Sequence, residues 1–498
     1  MDVRMNEPTQ ITIIGGGITG LSTAFYLQKE LADQQVNAQI TVVEASSAFG
    51  GKINTMEKDG IVFEKGADSF LARKLPIIEL TKELGLENEL TGTNPNAKKT
   101  YILYKDKLHP MPPGLVLGIP SELKPFMKTS LISPFGKLRA AMDLVLPRRK
   151  EVADESLGSF LERRLGKEVL EKIAEPLLAG IYAGNMHALS LQATFPQFGE
   201  MEQKFGSLIR GTSSNRSKTA QNLPGLPPAA NKSMFLTFRK GLMTLINGLI
   251  AALREQNVDL RLNTPVAGVA KSNSSQSSRY NITFADGHEE QADAVIVALP
   301  SYHAAALLQE PSAKGFLEEL DYVSVANVVL AFNRKDVNFT FDGSGFLVPR
   351  SEGRFITACT WTSNKWMHTA PEDKVLIRFY VGRAGDERWR SMTTEQIVSE
   401  VRKDMLDIMG LDAEPIFHEV TPLERSMPQY GIGHLDKVAK FREDLKMNLP
   451  GLLVTGAGFH GVGLPDCVRQ GKEAAKELVH ELIQYRSSKA QSESEDSA

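Results

Sequence analysis

The sequence predicts an α/β protein, α+β in part, that contains more than one domain. A glycine-rich turn near the start joins a strand-like segment to a helix, proline-broken helical segments follow from about residue 105, and strand-like segments return after residue 256. The length of 498 residues exceeds what one hydrophobic core normally encloses. A content of 42% hydrophobic and 23% charged residues is typical of a folded globular chain.

The first element is a βαβ unit that fills the opening 44 residues. Residues 11–14 form a β-branched run that stops at Gly15, and residues 21–31 carry apolar side chains at helical spacing. A second β-branched run, residues 40–43, ends at Glu44. This succession of strand, helix and strand predicts the core of a Rossmann-like fold.

The later elements divide into a helical part and a second set of strands. Prolines and glycines break the helix-like segments between residues 105 and 206, and the Ser-, Asn-, Pro- and Gly-rich residues 213–233 predict a surface loop or a partly ordered excursion. The predicted strands are 258–262, 280–284, 294–299, 323–332, 345–348, 355–361 and 375–381. We expect the first domain to resume at Leu452 and residues 487–498 to be disordered.

Composition and charge exclude several classes of function. The net charge of -3 gives no global field that would attract nucleic acid. Cys359 and Cys467 lie far apart, which predicts neither a disulfide nor a thiolate metal site and fits a reducing cytoplasm. The nine histidines lack metal-ligand spacing, so no metal is expected, and His460 is predicted to have a structural or solvent role. With no signal peptide and no apolar run of about 18 residues, the sequence predicts a soluble, cytoplasmic protein.

One stretch of the chain is locally basic. No Asp or Glu occurs between Lys204 and Arg254, whereas arginines and lysines recur there. Such a patch would steer a polycarboxylate, hold an anionic membrane surface, or simply be a solvated loop.

The glycine-rich turn is the strongest chemical motif. Gly15, Gly17 and Gly20 follow the G-x-G-x-x-G pattern between a strand and a helix, and Glu44 ends the next strand. Such a turn lets the backbone approach a pyrophosphate, whose charge faces the helix N-terminus, while Glu44 accepts hydrogen bonds from ribose hydroxyls. The motif predicts a dinucleotide but does not distinguish NAD from FAD.

Two further glycine-rich segments favour FAD. The sequence Gly50-Gly51-Lys52 follows Glu44 after a short polar loop, and this pattern is similar to that of the FAD-containing amine oxidase superfamily. Residues 455–467 form a second glycine-rich loop that opens a helix, with Asp466 at a capping position. A helix N-terminus aimed at a flavin would stabilise the negative charge that accumulates on reduction.

Three segments give a more specific resemblance. Residues 63–70 (FEKGADSF), 175–184 (EPLLAGIYAG) and 463–467 (GLPDC) are similar to the porphyrinogen oxidase family, and the resemblance extends from about Ile11 to Ile483. The segment 175–184 distinguishes this family from general amine oxidases.

The resemblance implies three domains. A discontinuous FAD-binding domain of the p-hydroxybenzoate hydroxylase type would comprise residues 1–104, 241–305 and 446–486. A helical domain able to rest on a membrane surface would comprise residues 105–206, and a mixed-sheet substrate domain would comprise residues 207–240 and 306–445.

The resemblance also implies the residues of the site. Lys74 and Ile181 would face the substrate, and no side chain is expected to be catalytic because the flavin carries the chemistry. FAD would be bound without a covalent link, so Cys467 is expected to be only a buried thiol. The residues around FAD, from the motifs and the resemblance together, are Gly15, Gly16, Gly17, Ile18, Thr19, Gly20, Val43, Glu44, Gly51, Lys52, Gly66, Ala67, Asp68, Ser69, Val266, Ala457, Val462, Gly463 and Leu464.

Three positions depart from the family pattern. Ala67 replaces a proline, Leu423 stands where bacterial relatives carry a flavin-contacting tryptophan, and Thr100 stands where the mitochondrial and chloroplast enzymes have an arginine for a substrate propionate. The missing arginine favours coproporphyrinogen III, with four propionates, over protoporphyrinogen IX, with two.

The reaction implied is a six-electron oxidation of a porphyrinogen to a porphyrin in haem biosynthesis. Hydride would pass from a bridging methylene to the flavin in three rounds, and oxygen would be reduced to hydrogen peroxide. A ferrochelatase would act downstream, and the sequence leaves the oligomeric state open. Three alternatives stay open: a protoporphyrinogen IX oxidase, another FAD amine oxidase or desaturase, and a cofactor-free binding protein of the same fold.

Overall fold

The computed structural model of the chain describes residues 7–151, 153–219, 226–272, 279–308 and 310–496. The strands are β1 Thr9–Ile14, β2 Ala38–Val43, β3 Thr55–Lys58, β4 Ile61–Glu64, β5 Phe70–Leu71, β6 Leu90–Gly92, β7 Lys99–Tyr104, β8 Lys107–Pro110, β9 Leu115–Val116, β10 Ile119–Pro120, β11 Phe235–Phe238, β12 Asp259–Arg261, β13 Val266–Lys271, β14 Tyr280–Phe284, β15 Glu289–Ala292, β16 Ala294–Val297, β17 Tyr322–Asn333, β18 Gly343–Leu347, β19 Ile356–Thr360, β20 Lys374–Val381, β21 Phe417–Pro428 and β22 Leu452–Val454.

The α-helices are α1 Ile18–Asp33, α2 Leu75–Glu83, α3 Leu123–Lys128, α4 Pro134–Ala141, α5 Leu157–Leu165, α6 Lys167–Val169, α7 Glu175–Tyr182, α8 Leu191–Thr194, α9 Pro196–Phe205, α10 Leu208–Thr219, α11 Pro228–Lys232, α12 Met243–Glu255, α13 Ser301–Leu307, α14 Pro311–Glu319, α15 Thr362–Lys365, α16 Thr394–Met409, α17 His434–Asn448 and α18 Leu464–Asp496. A π-helical segment, Leu170–Ala174, precedes α7.

A five-stranded parallel sheet forms the nucleotide-binding core, which confirms the predicted α/β class. Its order is β12-β2-β1-β16-β22, so its strands come from three distant parts of the chain. Helices α1, α12 and α18 cover one face with residues such as Leu27, Leu249 and Leu478, which are fully buried. Burial on this scale stabilises by roughly 1.5–3 kcal/mol for each large apolar side chain.

A seven-stranded mixed sheet forms the second layer, as the fold class predicts. Its order is β21-β17-β20-β19-β18-β7-β8, with only the β18–β7 pair parallel. Helix α16 packs on it through Val401 and Met405, both fully buried. The expected boundary between residues 104 and 105 falls in the turn of the β7–β8 hairpin. Both strands belong to this sheet because β7 pairs with β18, about 240 residues further along the chain, and local composition does not encode such a pairing.

A helical layer lies between residues 123 and 219. Helices α3 to α10 pack around a separate core that includes Phe160, Leu178 and Phe198. Leu208 and Ile209 of α10 belong to this core, whereas Leu236 of β11 packs in the first core. Residues 207–240, expected to join the substrate domain, thus contribute side chains to both of these cores.

Two local expectations differ from the structure. Residues 213–219, predicted as part of a loop, continue α10, because Leu208 and Ile209 anchor that helix to a core. Residues 487–496, predicted to be disordered, continue α18, whose preceding turns are held on α1 by buried residues such as Val479 and Leu482. Residues 220–225 of the predicted loop lie outside the described residues.

Candidate cofactor and substrate site

The glycine-rich turn lies between β1 and α1 as predicted. A Cβ at Gly20 would collide with the carbonyl oxygen of Gly15, so glycine there permits the tight turn. A Cβ at Gly17 would meet nothing within 4 Å, which leaves open space in front of the helix. Gly17 is the N-cap of α1 and supplies no side-chain cap. The first turn of α1, which begins at Ile18 and Thr19, thus has no side-chain cap at its positive end, an arrangement that suits an anion.

Glu44 lies at the end of β2, directly after Val43. Its Oε2 accepts from the Gly16 backbone N–H at 2.7 Å, and its Oε1 accepts from the Ser46 N–H at 2.9 Å. The Ser46 hydroxyl also donates to Oε1 at 2.8 Å, so the side chain is fixed in place, and Oε2 keeps a second acceptor site for a ribose hydroxyl.

The second glycine pair packs directly against the first turn. The Gly50 N–H donates to the Gly16 carbonyl at 2.9 Å, and a Cβ on Gly51 would lie 3.4 Å from the Cα of Gly17. Lys52 is exposed as a residue, and its Nζ donates to the Ser426 carbonyl at 2.7 Å. Burial lowers the pKa of Lys52 to about 8.

The turn Gly66–Ser69 lies beside Lys52. A Cβ at Gly66 would collide with the Lys52 carbonyl oxygen, so the two segments are in van der Waals contact. Ala67 is half-buried against the first core. Asp68 accepts from the Ser69 hydroxyl at 2.7 Å and lies 3.9 Å from the Arg378 guanidinium. Burial opposes ionisation, but Lys365, Arg378 and this hydrogen bond together lower the pKa of Asp68.

The closing loop lies over α1. The Tyr430 hydroxyl donates to the Ala457 carbonyl and accepts from the Gly461 N–H at 2.9 Å, so it holds both ends of the loop. The Cys467 N–H donates to the Gly463 carbonyl at 2.9 Å in the first turn of α18, next to Val462 and Leu464. Burial raises the pKa of the Cys467 thiol to about 11, which keeps it protonated.

Val266 opens β13 a short distance from Glu44. The Thr264 N–H donates to the Glu44 carbonyl at 2.9 Å, which brings the start of β13 to the edge of the nucleotide site. The structure therefore gathers all the predicted cofactor residues around one region, although they come from distant parts of the chain.

The predicted substrate residues lie near the start of α18. The Lys74 ammonium pairs with the Asp466 carboxylate at 2.9 Å. Ile181, near the end of α7, is 40% exposed, and burial together with Asp466 raises the pKa of its neighbour Tyr182. Lys74 and α7 are thus brought to the same end of the site. Thr100 is part of β7 and pairs with the Ser344 hydroxyl at 3.0 Å.

His460 is held by its backbone rather than by a functional contact. Its N–H donates to the Gln470 side chain at 3.1 Å, and its carbonyl accepts from Arg469 at 2.6 Å. Burial lowers the pKa of the imidazole to about 4, so the ring is neutral near pH 7. Among the residues described, no group of three or more His, Cys, Asp and Glu side chains could hold a metal ion.

Sequence reasoning missed Tyr430, Asn327 and Arg378. Tyr430 gave no signal, since its role depends on where the loop folds. Asn327 donates from Nδ2 to the Lys65 carbonyl at 2.8 Å, and Arg378 donates to the Gly66 carbonyl. A signal for Arg378 was present, because it is the one charged residue within the otherwise uncharged stretch 375–381.

Comparison with known proteins identifies the class. The family described as flavin containing amine oxidoreductase matches residues 18–479. The chain belongs to this family and is an FAD-dependent oxidoreductase with a flavin cofactor. The open space before Gly17, the uncapped helix N-terminus and the fixed carboxylate of Glu44 fit such a dinucleotide.

Individual relatives narrow the class. Coproporphyrinogen III oxidase of Staphylococcus aureus (strain NCTC 8325 / PS 47) is 43% identical over 95% of this chain and 99% of its own. The enzyme of the same name from Bacillus subtilis (strain 168) is 44% identical over 95% of this chain and 98% of its own. A crystal structure from Exiguobacterium sp. 255-15, named provisionally as a protoporphyrinogen oxidase, has a TM-score of 0.83 and 34% identity, covering 96% of this chain and 99% of that one.

Proposed function

We propose that this protein oxidises coproporphyrinogen III to coproporphyrin III in haem biosynthesis, with oxygen as the final acceptor and hydrogen peroxide as by-product. The observation that carries the proposal is the similarity over 95% of the chain to two enzymes of that name. Protoporphyrinogen IX is the second candidate substrate, because a relative of similar fold carries that name.

The chain's own residues would bind and orient rather than react. FAD, bound without a covalent link, supplies the hydride-accepting chemistry. The N-terminus of α1 would bind the pyrophosphate, and Glu44 would bind the ribose. Lys52 and the N-terminus of α18 would place positive potential where a reduced flavin carries negative charge. Val43, Gly51, Val266, Ala457, Val462, Gly463 and Leu464 would line the cofactor, together with the turns at 15–20 and 66–69.

Lys74 and Ile181 would contact the substrate. The half-exposed Lys74 ammonium is already paired with a carboxylate, and a propionate could take the place of Asp466 there. Ile181 offers an exposed apolar side chain on α7 for the face of the macrocycle.

The decisive experiment compares the two porphyrinogens. Purified protein with a flavin band near roughly 450 nm is mixed in air with coproporphyrinogen III or protoporphyrinogen IX, and porphyrin fluorescence and peroxide are followed. Faster oxidation of coproporphyrinogen III is expected. Oxidation of neither above the blank contradicts the proposal. Precipitation with acid should release the flavin into the supernatant, whereas flavin retained in the pellet contradicts non-covalent binding.

We also propose a cytoplasmic location with a peripheral contact to an anionic membrane. Among the described residues, no helix is long and apolar enough to cross a bilayer. Helix α4 and the turn after it expose Phe135 (79%), Leu138 (65%) and Val145 (78%). The exposed basic residues Lys124, Lys128, Arg148 and Lys150 lie on the flanking segments. Apolar side chains with flanking basic charge are the chemistry of interfacial binding.

Vesicle sedimentation tests this contact. The protein should bind phosphatidylglycerol vesicles better than phosphatidylcholine vesicles, and Phe135→Ser should weaken that binding. Met447, which is 72% exposed on α17, provides the matched control Met447→Ser. Equal binding by Phe135→Ser and the unmodified protein contradicts the proposal.

The division into three domains also stays a proposal, with β7 and β8 together in the substrate domain.

A further inference from the structure

A cavity lined by apolar and polar side chains lies behind the turn Gly66–Ser69. It encloses about 400 Å³ including its opening, and Glu64, Asp68, Thr237, Trp366, His368 and Arg378 are among the residues that line it. The cavity is bounded by β4, β20 and the segment 366–369. None of the roles proposed above uses it.

Two buried donors at this cavity have no protein partner. Arg378 is 4% exposed and Trp366 is 2% exposed, yet Arg378 Nε and Trp366 Nε1 form no hydrogen bond with the protein. A buried donor left unsatisfied costs roughly 1–3 kcal/mol. The carboxyl groups of Glu64 and Asp68 supply acceptors in the same cavity, so it has the two to four polar partners that an ordered water requires.

Glu64 is the carboxyl group in this cavity that can gain or lose a proton near neutral pH. Its Oε1 accepts from the Leu242 N–H at 2.7 Å, and the Thr55 hydroxyl lies 2.9 Å from Oε1 and 3.0 Å from Oε2. Because a carboxylate oxygen can accept two hydrogen bonds, Oε2 keeps an acceptor site for water. Burial raises its pKa to about 7; the hydrogen bonds and Arg378 oppose this shift, and Asp68 adds to it. A carboxyl with this pKa exchanges its proton near neutral pH.

The other charged and titratable groups near Glu64 each have an identified neighbour or charge state. Arg378 faces Glu64 from β20, and Asp68 faces it from the turn. Lys365 of α15 faces Asp68 at 4.0 Å. The His368 ring is neutral, because burial and then Arg239 lower its pKa to about 4. Lys65 pairs instead with Glu419 of β21 at 2.6 Å.

Residues that line the cavity are hydrogen-bonded to, or part of, the turn that lies beside Lys52. Arg378 donates to the Gly66 carbonyl, and Asp68 belongs to the turn itself. A change of charge at a flavin beside this turn would therefore act on Glu64 across a short path of buried, weakly screened groups.

From this arrangement we propose that the cavity holds ordered water and that Glu64 is a proton store coupled to the flavin. When the flavin site gains negative charge, one proton moves from solvent through the cavity water onto Glu64. The same proton returns when that charge is removed, and no electron leaves the flavin in this exchange. The inference rests on the proposed placement of the flavin beside Gly66–Ser69.

Infrared difference spectroscopy of the flavin-loaded protein tests this store. Reduced-minus-oxidised spectra between about pH 6 and about pH 8 should contain a protonated-carboxyl band that disappears in Glu64→Gln. Glu419→Gln removes a carboxylate from the outer side of the same turn and should leave the band intact. If Glu64→Gln loses flavin, Trp366→Phe removes one of the two water-binding donors, keeps the carboxyl and should shift the band.

Each result decides the matter. A band that persists in Glu64→Gln, a band that Trp366→Phe leaves unmoved, or no band in the unmodified protein overturns the inference. Oxidation of coproporphyrinogen III without a Glu64-dependent band would overturn the proton store and leave the proposed function standing. A Glu64-dependent band without any porphyrin formation would contradict the proposed function and leave the proton store standing.

Discussion

At the scale of single residues, the site depends on where a side chain is absent as well as on where one is present. Gly17 faces open space, whereas Gly20 and Gly66 are pressed against backbone. Substitution at these glycines therefore separates binding from folding.

Gly17→Ala should weaken flavin binding and leave the apoprotein's stability unchanged within about 0.5 kcal/mol. The added methyl group meets no protein atom but enters the space before α1. Flavin content after dialysis and the melting temperature of the apoprotein measure the two effects. Gly315→Ala, on α14 and also without neighbours within 4 Å, should leave flavin content unchanged. Unchanged flavin retention in Gly17→Ala would contradict the pyrophosphate placement.

Lys52→Met should lower the flavin's reduction potential at pH 7. The pKa of Lys52 is about 8, so its charge is mostly present below pH 8 and is lost as the pH rises through that value. The difference in reduction potential between Lys52→Met and the unmodified protein should therefore shrink above about pH 8. Lys52→Arg should keep the positive charge, and with it the higher potential, at every pH tested. Redox titration at several pH values measures this. A pH-independent difference for Lys52→Met would contradict the role given to its charge.

At the scale of elements, a buried ion-pair network joins the helices of the second core. Arg164 of α5 is fully buried and donates from Nε to the Asp143 carboxylate at 2.6 Å, with Glu202 of α9 at 3.3 Å. Asp143 also accepts from the Ile209 N–H at 2.9 Å, so α5, α9 and α10 meet at one cluster.

Arg164→Met should destabilise the protein by about 3–5 kcal/mol, because it leaves Asp143 buried without its partner. Arg402→Met, which breaks a more exposed cluster with Asp412 and Glu414, should cost about 1 kcal/mol or less. Denaturant unfolding of the flavin-loaded protein measures both. Equal losses of unfolding free energy in the two variants would show that burial does not determine the cost of breaking an ion pair.

The elements also differ in how far the sequence predicted them. The turn 15–20, the strand ending at Glu44 and the loop before α18 were predicted because each is a local pattern with its own chemistry. Residues 213–219 and 487–496 were not, because their helical state depends on how neighbouring residues pack. The clamp made by Asn327 and Arg378 on Lys65 and Gly66 joins residues about 260 and 310 positions apart, and no local pattern predicts such contacts.

At the scale of the whole molecule, the cofactor site is made of segments that meet only in the folded state. A flavin bound across these segments should stabilise them together. Removing FAD should lower the melting temperature, and adding it back at 100 times its Kd should restore about 2.7 kcal/mol. Thermal unfolding followed by circular dichroism measures the shift. The same melting temperature with and without bound FAD would contradict a site that spans these segments.

The order β12-β2-β1-β16-β22 has a consequence for how the protein is made. The first strand leaves the ribosome with residues 9–14, but the edge strand at 452–454 and the helix that covers it emerge last. At 5–20 residues per second, roughly 20 to 90 s separate the two. Strand β16 leaves the ribosome with residues 294–297, so its outer edge stays unpaired for only the last part of that interval, roughly 8 to 30 s, and such an edge can pair wrongly with another chain. The yield of active enzyme in a cell should therefore depend on chaperones that protect the nascent chain and on FAD that is present when synthesis ends.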